Sequence, residues 1–248
     1  MARQPRRKSI TGIHHVMLRG INHENVFHGP KDYVQFLQIV GDCKGKDKFE
    51  LLGFCLMGNH LHLLIKTTAP EIGHVMKRIS LRYVTWYNLK YKREGPVFQG
   101  RFKSRPVEDD GYFLTALRHI HQTPARVGVV SDLSMYHWSS YRHYIGMAGV
   151  VDRAFALSLL AVHEFIDYHK QDGGSADCLD MPVPKNRIND DEAIAMITDS
   201  IGHSDITKLQ QLEPAVRSNF LRTLRGCGMS IRQISRLTGF GKSVVERA

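Results

Sequence analysis

The chain has 248 residues, with 34 Lys and Arg against 24 Asp and Glu, a net charge of +10 and an isoelectric point near 9.5. A hydrophobic fraction of 42% supports an ordinary globular core, and no run of about 18 apolar residues is present to cross a bilayer. The basic excess points to nucleic acid before an acidic membrane surface. Four cysteines lie far apart (Cys43, Cys55, Cys178, Cys227) and form neither a disulfide framework nor a zinc cluster, which fits a reducing cytoplasm.

Residues 1–8 form a basic arm (Arg3, Arg6, Arg7, Lys8) without the apolar stretch of a secretory signal. Residues 10–18 alternate around His14 and His15 and read as a first strand, ended by Arg19-Gly20. Residues 31–41 place Tyr33, Phe36, Leu37 and Val40 at helical spacing, and 44–48 read as a polar turn. Two strands follow, 50–57 and 61–67, meeting at Met57-Gly58-Asn59. Alternation puts His60, His62 and Leu64 on one face of the second strand, with Leu61, Leu63 and Ile65 facing a core. Two imidazoles so placed can hold one divalent metal, or can form a hydrogen-bonded pair at a sheet edge.

A second helix spans residues 72–91, with its apolar face running through Ile72, Met76, Ile79 and Tyr83. Gly95-Pro96 breaks it, and 97–107 reads as a strand. Between residues 77 and 105 nine cations (Lys77, Arg78, Arg82, Lys90, Lys92, Arg93, Arg101, Lys103, Arg105) face one acid, Glu94. Tyr83, Trp86, Tyr87, Tyr91, Phe98 and Phe102 are threaded among them. Such a surface favours a polyanion, although most of these aromatics are expected in the core.

Asp109-Asp110-Gly111 caps a third helix, 112–122, which is expected to stop before Pro124. Residues 127–130 and 136–144 close the domain. The order predicts an α+β, ferredoxin-like βαββαβ antiparallel sheet with helices packed on it. Residues 155–169 read as a linking helix and 171–187 as a linker, followed by helices near 190–200 and 209–226. Ser230 can cap a short helix with Ile231, Ile234 and Leu237 facing inward, Gly239 turns, and a second helix starts at Lys242. With Arg232, Arg236, Lys242 and Arg247, this reads as a DNA-binding helix-turn-helix. The expected organisation is an arm (1–8), a core domain (9–146), a connecting stretch (147–189) and a small all-α domain (190–248).

Gly12-Ile-His-His-Val-Met-Leu-Arg-Gly20, Cys55-Leu-Met-Gly-Asn-His-Leu-His-Leu-Leu64, Phe98-Gln-Gly-Arg-Phe-Lys103 and Trp138-Ser-Ser-Tyr141 together resemble the REP-associated tyrosine transposases of the HUH superfamily. The similarity covers about residues 9–146, and the C-terminal helices look like the tail many members carry. The resemblance implies an often dimeric cytoplasmic, nucleoid-associated domain that binds hairpin-forming single-stranded DNA and cuts beside it. On that pattern His60 and His62 hold Mg²⁺ or Mn²⁺, Gln99 and the 77–105 cations track DNA, and a tyrosine on the third helix attacks the phosphate.

One departure stands out. The family's third helix typically reads Arg-Tyr-Ile-x-x-Asn-Pro, whereas this chain has Arg118-His119-Ile120-His121-Gln122-Thr123-Pro124. His119 stands where the nucleophile belongs, and Thr123 replaces an amide where related enzymes place a further metal ligand. Three readings follow: a cleavage-deficient DNA binder or regulator, attack by Tyr112 two helical turns earlier, or His119 as nucleophile or acid–base. Tyr87 and Tyr91 are further candidates, and His121 reads as a surface residue.

Overall fold

A computed structural model describes residues 7–67, 71–171, 178–180 and 231–247, with positions 190, 193, 194, 197, 213, 217, 218, 220, 221, 222 and 224 between them. It divides into two compact units, Met1–Leu179 and Asp180–Ala248.

The first unit is built on four antiparallel strands, β1 (Ile13–Arg19), β2 (Glu50–Leu56), β3 (His60–Lys66) and β4 (Lys103–Val107), in the order β2-β3-β1-β4. Helices α1 (Pro30–Asp47) and α2 (Ile72–Tyr91) are the two crossovers of the ferredoxin-like βαββαβ order, and α3 (Asp110–Arg126) follows it. α2 covers the face of Leu18, which lines one groove with Met76 and Val84. α3 covers the other face, where a Cβ on Gly53 would lie 2.6 Å from Leu117 Cδ1. With a layer on each side, β1 and β3 are buried almost end to end.

Several boundaries differ from the sequence reading. α1 runs on through residues 44–47, because Cys43 and Asp47 are still buried; the stop is Lys48, in the left-handed region at φ 51. Its start is fixed by Pro30 in the first turn and by Asp32, whose carboxylate accepts the N–H groups of His28 (2.6 Å) and Gly29 (3.1 Å). Residues 97–102 are not strand. Gly100 turns at φ 62, while Gln99 N–H donates to Arg19 O, so β4 begins only at Lys103. α3 is capped by Asp109, as expected, but passes through Pro124 to Arg126. A proline in the last turn forfeits only one N–H, and Val127 N–H still reaches Thr123 O.

The stretch expected as one linking helix forms two, α5 (Ala154–Leu159) and α6 (Val162–Lys170), after the short α4 (Tyr141–Tyr144). The chain is extended at Leu160 and Ala161, and Glu164 accepts the Ala161 N–H. Val151, Ala156 and Phe165 belong to the core of this unit, with Phe165 stacked on Tyr144 at 4.7 Å.

In the second unit, α7 (Ile231–Thr238) and α8 (Lys242–Arg247) meet at Gly239, φ 75. Ile234, Phe240 and Val245 are buried with Ala193, Ile197, Leu221 and Leu224. The expected 172–177 and 181–187 parts of the linker, the cap Ser230, and most of the helices near 190–200 and 209–226 lie outside the described residues. No helix among the described residues is long and apolar enough to cross a membrane.

Candidate metal centre and nucleic-acid interface

Register decides which side chains share the α3 face. β1 pairs with β3 as Arg19↔His60, Met17↔His62 and His15↔Leu64, and with β4 as His15↔Arg105 and Met17↔Lys103. Directly opposed residues project to the same side, so His15, His60, His62, Lys103 and Arg105 belong to one face. α3 lays His119 over it. The His62 ring lies 5.4 Å from His60, 5.2 Å from His15 and 5.8 Å from His119, centroid to centroid.

His15 was not singled out by the sequence reading. His14 and His15 are adjacent, and only the pairing of β1 with β3 shows which of them faces His62.

Hydrogen bonds assign the tautomers. Asn59 turns its amide N–H toward His23 O (3.5 Å), so its Oδ1 accepts from His60 Nδ1 at 2.7 Å, and the lone pair of His60 sits on Nε2. His62 Nδ1 lies 3.0 Å from His15 Nε2. His62 Nε2 and His15 Nδ1 are buried and have no hydrogen-bond partner among the described residues. Burial first, then the neighbouring His15, His60 and His119 and the Arg126 cation, keep His62 neutral well below its ordinary range. A fully buried imidazole nitrogen without a partner, close to a second imidazole whose proton is held on its far nitrogen, suits a divalent cation.

His119 is arranged differently. Its Nε2 donates to Leu179 O at 3.1 Å, and its Nδ1 accepts from Arg126 Nη1 at 2.6 Å. A carbonyl only accepts and a guanidinium only donates, so the ring is neutral and its one lone pair is engaged by a cation. Thr123 is buried and spends its hydroxyl on His119 O at 2.9 Å.

Tyr112 lies under the Arg105 guanidinium, 4.7 Å from ring centre to Cζ. Arg105 is in the His15 row, two residues along β1 from the Met17–His62 row and four from the Arg19–His60 row. Tyr87 and Tyr91 sit on α2, where Tyr87 donates to Asn25 O and Tyr91 bonds Asp32.

His121, expected at the surface, is fully buried. Ser140 Oγ lies 2.7 Å from its Nε2, its Nδ1 is 2.9 Å from His169 Nε2, and His169 Nδ1 donates to Phe165 O at 2.8 Å. The chain joins α3 to α4 and α6. Burial, then neighbouring His169 and His143, hold His121 well below its ordinary range, and burial lowers His169 to about 4.

The basic residues fall into two sets. Arg78 pairs with Asp47 (3.3 Å), Arg82 with Asp42 (2.8 Å), and Lys90 with the buried Asp32, all from α2 to α1. Burial pushes the Asp32 carboxyl up, but the bonds from Lys90, His28 and Tyr91 outweigh it and hold it below its ordinary value. Arg93 lies 3.7 Å from Glu24, and Lys92 forms the left-handed end of α2. The second set, Arg101 and Lys103, is exposed together with the neutral Gln99 at the entry to β4. Of the aromatics, Tyr83, Tyr87 and Phe98 are buried, and Trp86, Tyr91 and Phe102 are half-buried against the core. In the second unit Arg232 and Lys242 are exposed, and Arg236 pairs with Asp190 at 2.7 Å.

Known proteins share this architecture. The family model described as Transposase IS200 like matches residues 9–123, which hold the whole sheet and most of α3. Residues 9–123 are similar to the IS200-like transposases. A solved REP-associated tyrosine transposase bound to a REP hairpin is similar in fold, with a TM-score of 0.50 at 13% identity over 61% of this chain and 94% of that one. A candidate transposase from Deinococcus radiodurans matches with a TM-score of 0.35 and 14% identity over 51% of this chain and 92% of that one. No curated protein matches the chain. Within the matched residues, His60 and His62 lie on β3, and His119 on α3 faces His62.

Proposed function

We propose that this transposase-family chain binds hairpin-forming single-stranded DNA, holds Mg²⁺ or Mn²⁺ on His60 and His62, and does not form a covalent protein–DNA intermediate. The observation that carries this reading is the state of His119. It stands over His62 where the resemblance puts the nucleophile, yet both ring nitrogens are hydrogen-bonded and its lone pair faces Arg126.

A bound divalent cation would polarise a phosphate and offset its charge. The chain's own groups would then orient that phosphate: Lys103 and Arg105 lie on the same face, on β4 across β1 from the pair, and Gln99 and Arg101 lead into that strand. The cations of α2 that pair with α1 acids hold those helices together, so DNA affinity rests on the β4 edge more than on Arg78, Arg82 or Lys90. The Arg232 and Lys242 surface of α7 and α8 would add duplex contacts in the manner of a helix-turn-helix.

The test is equilibrium binding of hairpin-flanked single-stranded DNA with and without Mn²⁺, combined with a search for cleavage. Binding that exceeds a scrambled single strand, with an intact oligonucleotide, supports the reading. Equal binding to hairpin and scrambled strands would overturn the hairpin claim, and a protein–DNA adduct would overturn the claim about the nucleophile.

A further inference from the structure

The geometry points to His15 as a positioning residue for the metal centre: its Nε2 receives the Nδ1 proton of His62 and so presents the His62 Nε2 lone pair to a cation. The inference rests on the metal reading above and adds a residue to it. His15 reaches His62 from a different strand, one register row away, at 3.0 Å between ring nitrogens, and both side chains are fully buried.

Two proton arrangements satisfy that contact. If His15 donates, His62 carries its proton on Nε2 and offers the cluster a buried N–H with no acceptor. If His62 donates, its Nε2 carries a lone pair instead, and only this arrangement can ligate. A cation then occupies the one acceptor site that the described residues leave unused at His62, and only the His15 Nδ1–H stays unpartnered. A metal-bound imidazole ordinarily donates its other N–H to a fixed acceptor, and losing that acceptor costs about 10–100-fold in metal affinity. Among the described residues, the hydrogen-bond partner of His62 Nδ1 is His15. His60 has its equivalent acceptor in Asn59, so each member of the pair is oriented by its own partner.

The experiment titrates Mn²⁺ into the full chain, follows free Mn²⁺ by electron paramagnetic resonance, and reads imidazole protonation by ¹⁵N NMR with Mg²⁺. His15→Leu keeps an apolar side chain in the buried site but removes the acceptor; His15→Gln restores an amide oxygen near the place of Nε2. The expected result is Mn²⁺ binding weakened at least about tenfold in His15→Leu and within about threefold of wild type in His15→Gln. NMR should show His62 protonated at Nδ1 in wild type and in His15→Gln. Should His15→Leu fail to fold, His15→Gln together with the NMR tautomer decides the question. Unchanged affinity in His15→Leu, an equal loss in both variants, or His62 protonated at Nε2 with Mg²⁺ present would overturn the assignment. His60→Ala and His62→Ala run alongside: if neither lowers Mn²⁺ affinity, the metal reading itself fails, whereas their loss beside an unaffected His15→Leu refutes only the role of His15.

Discussion

The ring of His119 stands edge-on to that of His62, centroids 5.8 Å apart, and its nitrogens are hydrogen-bonded to Arg126 and to Leu179 O. His119 is thus a hydrogen-bonded strut between the end of α3 and residue 179. This has a direct consequence for mutagenesis. His119→Phe removes the bonds to the Arg126 guanidinium and to Leu179 O in a half-buried setting, which should cost about 1–3 kcal/mol of stability. Affinity for hairpin DNA should stay within about threefold, because the ring contacts protein groups. Urea denaturation and fluorescence anisotropy give the two numbers, and a large loss of affinity at unchanged stability would place His119 on the DNA.

The two sets of cations should separate in a salt titration. Arg101→Ala and Lys103→Ala should each weaken hairpin binding and reduce the slope of log K against log salt by about 0.7–0.9 for every phosphate that is no longer neutralised. Arg82→Ala should leave the slope unchanged, because that guanidinium is already paired with Asp42 at 2.8 Å. The reverse pattern would move the interface from the β4 edge to α2.

Acid should destabilise the first unit through the His121–His169 pair. His169 titrates near 4 in the folded chain, lowered by burial and by Arg118, against 6.5 when unfolded. His121 is held low by burial and by His169 and His143, and Ser140 and Phe165 O face the pair as neutral partners. A depressed histidine leaves stability intact above pH 6.5 and removes it as the unfolded chain takes up protons below that value. The loss from His169 alone should approach about 3 kcal/mol by pH 4, at 1.36 kcal/mol per pH unit. His169→Gln should flatten the fall in melting temperature between pH 6.5 and 4; an unchanged pH profile would show that the pair does not titrate on unfolding.

Gly53 lies at the β2 bulge, on the face that α3 covers. A Cβ there would meet the fully buried Leu117 at 2.6 Å, so Gly53→Ala should cost about 1–3 kcal/mol by overpacking. Gly45→Ala, where the added carbon meets nothing within 4 Å, is the matched control and should not destabilise. Chemical denaturation of both variants checks the contrast.

How far the sequence revealed this molecule depended on the range of the interaction. Alternation in 61–65 and helical spacing in 72–91 gave the strands and helices of the sheet layer, because period is a local property. The His60–His62 pair was readable for the same reason: two residues apart on a strand means one face. His15 joins that pair only through the β1–β3 register, and nothing in residues 10–18 states that register. The burial of His121 likewise depends on Ser140 and on His169, 48 residues away. The dense cations of 77–105 looked like one surface because the acids that neutralise several of them, Asp32, Asp42 and Asp47, lie on a different helix. Pro124 misled by a local rule, since a proline near a helix end removes too little to stop it.

The central claim is that the chain keeps the metal pair of a transposase without a positioned nucleophile. Labelled hairpin-flanked single-stranded DNA incubated with the full chain and Mn²⁺, then run on denaturing gels with and without protease, tests it most directly. The account predicts hairpin-dependent binding, intact DNA and no protease-sensitive shift. A covalent adduct, mapped by mass spectrometry to Tyr112, His119 or another tyrosine, would contradict it.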